Sequence, residues 1–228
     1  MESITVASLW RNLMVEKSVL IDALKKAKEQ APERKFTESV DMTINLKNID
    51  MSQPKNRIDE TILLPHGNGR VVKIAVLGSG DIVTQARESG VELIMGPEEI
   101  ERLGGAPREA RKIASEHQFF LAETQVMSLV GRWLGPRLGP RGRMPQPIPA
   151  GTDIRPIVER LRKSVKIRTK DKMSFSLKVG TTAMSEEEIA ENIDAVLKRI
   201  LSKLEMGDFQ VRSVYIKTTM GPSVKVEL

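Results

Sequence analysis

The residues of this chain with the clearest chemical potential are cations and hydroxyls set in glycine- and proline-rich turns. The segment Gly131 to Thr152, GRWLGPRLGPRGRMPQPIPAGT, carries Arg132, Arg137, Arg141 and Arg143 and no acidic residue. Such a segment suits phosphate, and it equally suits a connector whose glycines and prolines only shape the chain path. In TTMGPS, Thr218, Thr219 and Ser223 offer hydroxyls fit for ribose 2′-OH groups, Gly221 permits close backbone approach, and Met220 can pack on a sugar or base. An ordinary hairpin turn accounts for the same string. The stretch ERKFTES mixes Arg34 and Lys35 with Phe36, Thr37 and Ser39, a combination that suits RNA or a core anchor flanked by solvated charges. In RTKDK, Arg168, Lys170 and Lys172 either line a groove or decorate a hairpin.

Other chemistries find less footing. There is no cysteine, so disulfides, thiolate nucleophiles and cysteine zinc sites are excluded. The two histidines, His66 and His117, stand in no metal-ligand spacing, and His66 in PHGNG reads as a turn or hinge residue. Glu98, Glu99 and the run Glu186 to Glu188 fall where helices begin, and carboxylates there complement the macrodipole. No general acid and base pair declares itself, so no catalytic residue, metal or cofactor is expected. The rival reading is a nucleotide-dependent α/β enzyme built on KIAVLGSGDI, where a strand meets Gly78 and Gly80. The third glycine of the dinucleotide fingerprint would fall at position 83, which is Val83. A basic adaptor for acidic protein surfaces is a further alternative.

The elements that must carry these segments follow from periodicity. A helix is expected from Val15 to Gln30 on the spacing of Val19, Leu20, Leu24 and Ala27, and a strand where Met42, Ile44 and Leu46 alternate with polar residues. A second strand covers Ile58 to Leu64. After Pro65, apolar runs such as KIAVLG, VELIM and FFLAE alternate with helical stretches, with Pro97 and Pro107 at helix starts, which points to parallel strands. Beyond Thr152, Ile154, Ile157, Val158 and Leu161 mark a helix, Val165 and Ile167 open a strand, and Met173, Phe175, Leu177 and Val179 alternate. The Ser185–Glu188 capping box precedes a long helix. Strands near 211–217 and 224–228 close the chain.

The two ends thus share one style and the middle another. This predicts a two-domain α/β (α+β) chain: residues 1–66 with 152–228 as one discontinuous domain, and 67–151 as an inserted α/β domain, joined by a two-strand hinge. At 228 residues two domains are the natural count. Lysine and arginine number 36 against 30 aspartates and glutamates, a net charge of +6, which favours polyanionic partners. Aromatics make up 4%, too few for a surface that stacks several unpaired bases, so folded RNA read by shape is favoured. No apolar run approaches the roughly 20 residues that span a bilayer and the amino terminus has no leader pattern, so a soluble, cytoplasmic protein without membrane contact is expected.

Four strings, in order along the chain, resemble the L-one family of ribosomal proteins, the stalk proteins of the large subunit, in its archaeal form: KFTES at 35–39, LLPHGNGR at 63–70, LGPRGRMPQP at 138–147 and TTMGPSVKV at 218–226. The resemblance covers nearly the whole chain. It implies a terminal domain of split β-α-β type that holds ribosomal RNA and an inserted Rossmann-like three-layer domain. Lys35, Phe36, Thr37, Ser39, Thr218, Thr219, Met220 and Gly221 carry over as RNA contacts, with Arg168, Lys170, Asp171 and Lys172 beside them. His66, Gly67, Arg137, Arg141 and Arg143 carry over as a secondary RNA contact or hinge. The partners implied are the stalk region of large-subunit rRNA, tRNA at the exit site and the protein's own messenger, whose translation it would repress, with a monomer expected when free and a ribosome-associated location. Two departures stand out: residues 1–14 match no role, and Arg143 occupies a place where the family pattern leads one to expect an apolar residue.

Overall fold

The structure, a computed structural model, describes residues 17–227; Val15 and Glu16, where the first helix is expected to begin, the segment 1–14 and Leu228 lie outside them. In chain order the first elements are helix α1 (Lys17–Glu29), strands β1 (Ser39–Leu46), β2 (Asp59–Leu63) and β3 (Ile74–Leu77), helix α2 (Asp81–Glu88) and strand β4 (Leu93–Met95). Helices α3 (Pro97–Gly104) and α4 (Pro107–Glu116), strand β5 (Phe119–Glu123), helices α5 (Met127–Trp133) and α6 (Gly135–Leu138) and strand β6 (Gln146–Ile148) follow. Helix α7 (Arg155–Arg162), strands β7 (Ser164–Arg168) and β8 (Ser174–Thr181), helix α8 (Glu186–Lys203) and strands β9 (Val211–Thr218) and β10 (Ser223–Val226) complete the chain. None of the described helices is long and apolar enough to cross a membrane.

The chain divides into two compact units, one made of the segment up to Arg70 together with that from Lys163 onward, the other of Val71–Arg162. In the first, four strands pair in the order β10-β9-β1-β8, every neighbour antiparallel. Strands β8 and β9 both run against β1, so they are parallel to each other, and helix α8 carries the chain across the strand between them. This is the split β-α-β arrangement. The alternation in β1 sends Val40, Met42, Ile44 and Leu46 to one face, where register aligns Met42 with Leu177 and Ile216, and Ile44 with Phe175 and Val214. Leu20 and Leu24 of α1 and Ile189, Ile193, Val196 and Ile200 of α8 bury that face. The capping box starts α8 as expected: Glu188 N–H donates to Ser185 Oγ (3.2 Å) and Ser185 N–H to Glu188 Oε2 (3.1 Å).

A separate antiparallel ribbon, β2 with β7, pairs Asp59 with Arg168 through to Leu63 with Ser164. Beyond it the PHGNG turn is held by Asn192 of α8, which is fully buried. Its Nδ2 donates to the carbonyls of Gly67 (2.7 Å) and Val179 (2.9 Å), and its Oδ1 accepts from the His66 N–H (3.1 Å).

The second unit is a parallel sheet in the order β4-β3-β5-β6. Both faces of β3 and β5 are buried, which is why these strands read as unbroken apolar runs. Ala75, Leu77, Phe120 and Ala122 pack with residues of α3 to α6, while Ile74, Val76, Phe119 and Leu121 pack with those of α2 and α7. The result is three layers. Two expectations are corrected here. The helix bearing Ile154, Val158 and Leu161 does not begin the return of the terminal unit at residue 152: those side chains cover the parallel sheet, and the boundaries fall at Arg70/Val71 and Arg162/Lys163 rather than at 66/67 and 151/152. The glycine- and proline-rich stretch 131–151 contains α6 and the fourth strand, β6.

Replacing Asn192 by leucine keeps the branched outline but leaves two carbonyls without donors and the His66 N–H without its acceptor. Urea denaturation should show a loss of about 3 kcal/mol, since each orphaned buried group costs roughly 1–3.

Candidate nucleic-acid interface

At one end of the four-stranded sheet, the Thr218–Ser223 turn meets the start of β1. Ser39 N–H donates to Thr219 Oγ1 (3.0 Å), Met220 N–H to Glu38 Oε2 (3.2 Å) and Gly221 N–H to Thr218 Oγ1 (3.0 Å). Gly221 has no room for a side chain, because a Cβ there would lie 2.4 Å from Thr218 Oγ1 and 3.2 Å from Ala31 Cβ. Glu38 is buried, and its backbone N–H and carbonyl are both bonded to Thr182 (3.1 and 2.9 Å). These bonds hold Phe36 and Met220 outward, more than half exposed at 53% and 54%, where burial would be the usual fate of such side chains. Lys35 and Thr37 are exposed beside them. A depression of about 300 Å³, lined by Lys28, Ala31, Phe36, Glu38, Thr182 and Thr218, opens between these segments. Thr218 is buried with its hydroxyl committed to the turn, so it shapes the surface from within. Glu38 and Thr182 escaped the sequence reading; a carboxylate inside KFTES was the one available sign.

The second group lies at the far end of β1, where Leu46 N–H donates to the Met173 carbonyl. The turn after β7 is closed by Lys172 N–H on the Thr169 carbonyl (3.2 Å), with Lys170 in the left-handed region at φ 48°. Thr169 Oγ1 accepts from Ile58 N–H (3.0 Å), fixing the turn to the neighbouring strand. Lys170, Asp171 and Lys172 are exposed; Asp171 pairs with Arg57 (2.7 Å) and Arg168 with Asp59 (3.4 Å). The two groups are therefore separated by the length of β1, about 20 Å at the usual strand rise.

Between them runs the face of the sheet turned away from both helices. Alternation and register place Thr43, Ser176 and Tyr215 in one row and Asn45, Ser174 and Ser213 in the next. Thr43 Oγ1 and Ser176 Oγ are 2.8 Å apart, and Asn45 Nδ2 donates to Ser213 Oγ (3.0 Å). These two rows of hydroxyl and amide groups, in which the buried Ser213 serves to hold Asn45, can with the flanking cations hydrogen-bond riboses and phosphates along a folded RNA.

The remaining candidates are not gathered there. His66 is bonded through Nε2 to Glu191 of α8 (2.6 Å), and Gly67, at φ 69°, presents its carbonyl to Asn192. Both fasten the turn to α8. In the second unit, Arg143 Nη1 donates to the carbonyls of Ala114 (2.5 Å), Ser115 (2.9 Å) and His117 (2.8 Å), the open carbonyls at the end of α4. Burial, with Arg141 nearby, lowers the affinity of its guanidinium for a proton, yet an arginine stays charged. This accounts for a cation where an apolar residue is expected: its stem packs and its head caps a helix. Arg141 is exposed and Arg137 half-buried.

The Gly78–Gly80 turn sits at the strand ends where the order of the parallel sheet reverses, the place where such sheets bind ligands. Glu123 fills it. Its Oε2 accepts from Ser79 N–H (3.1 Å) and Ser79 Oγ (3.3 Å). The donors that would cradle a phosphate hold the protein's own carboxylate, which would repel one. Among the described residues no group of three or more metal-ligating side chains is assembled.

Comparison with known proteins fits this geometry to a family. Residues 24–222 match the model of the Ribosomal protein L1p/L10e family. The chain is similar to the large ribosomal subunit protein uL1 of Methanoregula boonei, 68% identical over 213 residues that cover 93% of this chain and all of the relative. It is 70% identical over the same extent to that of Methanoculleus marisnigri. The uL1 of Pyrococcus horikoshii is 47% identical over 93% of this chain and 97% of its own length.

Arg143→Met should remove the cap on α4 and destabilise the second unit by about 2 kcal/mol in thermal or urea unfolding, the scale of a charged hydrogen-bond donor lost to buried acceptors. RNA affinity of the folded variant should be unchanged.

Proposed function

Because the chain belongs to the ribosomal protein L1p/L10e family, we propose that it is a non-enzymatic structural component of the large ribosomal subunit that binds folded large-subunit rRNA with its terminal unit. The observation that carries the proposal is the convergence at one sheet of the outward Phe36 and Met220, the polar strip along β1, and the Arg168–Lys172 turn. Cations at both ends of that strip supply phosphate contacts that set position, and hydroxyls between them supply 2′-OH contacts that tell RNA from DNA. The ligand is the stalk region of the rRNA, and the protein is ribosome-associated in the cytoplasm.

The finer part of the reading concerns motion and regulation. The chain passes between its two units only twice, at Arg70–Val71 and Arg162–Lys163. Two crossings next to the β2/β7 ribbon favour a hinge, and with it a stalk that shifts near the exit site as deacylated tRNA leaves. A surface that reads RNA shape will also accept a similar fold in the protein's own messenger, and occupying it would repress translation.

The test is binding of the purified protein to a stalk-region rRNA fragment and to a scrambled RNA of equal length across salt concentrations. The stalk fragment should bind several orders of magnitude more tightly near physiological salt, with a log–log slope of roughly −0.7 to −0.9 per phosphate engaged. A slope near zero, or equal affinity for both RNAs, would remove the reading. Phe36→Ala and Met220→Ala should each weaken the stalk complex by about 1–3 kcal/mol with unchanged circular dichroism.

A further inference from the structure

One row of the open sheet face differs from the hydroxyl rows. Register sets Asp41 of β1 opposite Lys178 of β8 and Lys217 of β9, with Ser223 of β10 opposite Lys217. Two lysines thus flank a single carboxylate, and Arg70, exposed at the end of the terminal unit's first segment, lies close enough to act electrostatically on both Lys178 and Asp41. Three cations face one anion.

The ammonium of Lys178 is the unusual member. Its Nζ is excluded from solvent and has no hydrogen-bond partner among the described residues. A charged amine removed from water without an acceptor is costly, and neighbouring cations raise the cost. Burial first and the Arg70 guanidinium second push Lys178 down to about 8, against the pull of Asp41. Burial also raises Asp41, although Lys178, Lys217 and Arg70 all oppose the rise. A second negative charge carrying several acceptor oxygens would offset the cost of the buried Lys178 ammonium.

We propose that Arg70, Lys178 and Lys217 form a subsite in which Arg70 and Lys217 hold one phosphodiester of the bound RNA over the buried Lys178 ammonium, whose charge it offsets through space. The inference rests on the RNA-binding reading and adds to it a specific phosphate position and a dependence on pH. The sign follows from linkage. Phosphate favours the charged amine, so the bound form holds the proton to higher pH than the free form, and affinity is full below about 8 and falls as pH rises through it.

The test measures stalk-fragment and scrambled-RNA binding at pH 7 and pH 9 for the wild type, Lys178→Met and Lys178→Arg, each checked for folding by circular dichroism. Wild-type affinity for the stalk fragment should drop about tenfold between the two pH values. Lys178→Met should bind about tenfold more weakly than wild type at pH 7, with a salt slope shallower by roughly 0.7 to 0.9 and little pH dependence. Lys178→Arg keeps a permanent charge and should bind equally at both pH values. If folded Lys178→Met keeps wild-type affinity and slope while the wild type still selects the stalk fragment, the subsite is overturned and the RNA reading stands. If the wild type itself fails to select the stalk fragment, the RNA reading falls and takes the subsite with it.

Discussion

Strand β1 is hydrogen-bonded along both edges, and its period-two alternation of apolar and polar residues constrains everything built around it. The apolar set has to be covered, and α1 and α8 cover it. The polar set is thereby turned outward as a strip spanning the sheet. A slip of one residue would exchange the two sets, so the same alternation that buries Met42 and Ile44 puts Thr43 and Asn45 on the opposite face. Irregularities in pairing at Val40/Asp41 and Asn45/Leu46 occur only at the two ends of the strand, where the turns bearing the candidate contacts begin.

Much of this was legible because it is local. The periods of β1, β8 and α8, the Ser185–Glu188 cap, and Pro97 and Pro107 at helix starts each declare themselves within a few residues. What stayed hidden depends on partners remote in sequence. The apolar face of α7 does not say which sheet it will cover, and it covers the parallel one. Strand β6 is three residues long with a proline inside it, which no alternation can reveal. Arg143 reads as a phosphate ligand until the carbonyls of Ala114, Ser115 and His117 are found around it. Thr218 reads as a contact, yet its hydroxyl closes the turn that presents Met220.

The second unit illustrates how little a fold alone says about function. Its parallel sheet and glycine turn are those of cofactor-binding proteins, and the turn lies where the strand order reverses. One acidic side chain, Glu123, takes up the donors of that turn and converts a potential ligand site into an internal bond. The same turn geometry thus serves packing.

The interleaving of the two chain ends also bears on how the protein is made. Both neighbours of strand β1, β8 and β9, are synthesised more than a hundred residues after it. At roughly 5–20 residues per second, the central strand waits roughly 6–26 s before the first of its two edges can pair. Val71–Arg162 is complete before either neighbour appears and can form its own core during that interval. The sheet of the first unit then closes only once β8 and β9 have been made, through contacts of high sequence separation that are intrinsically slow to form.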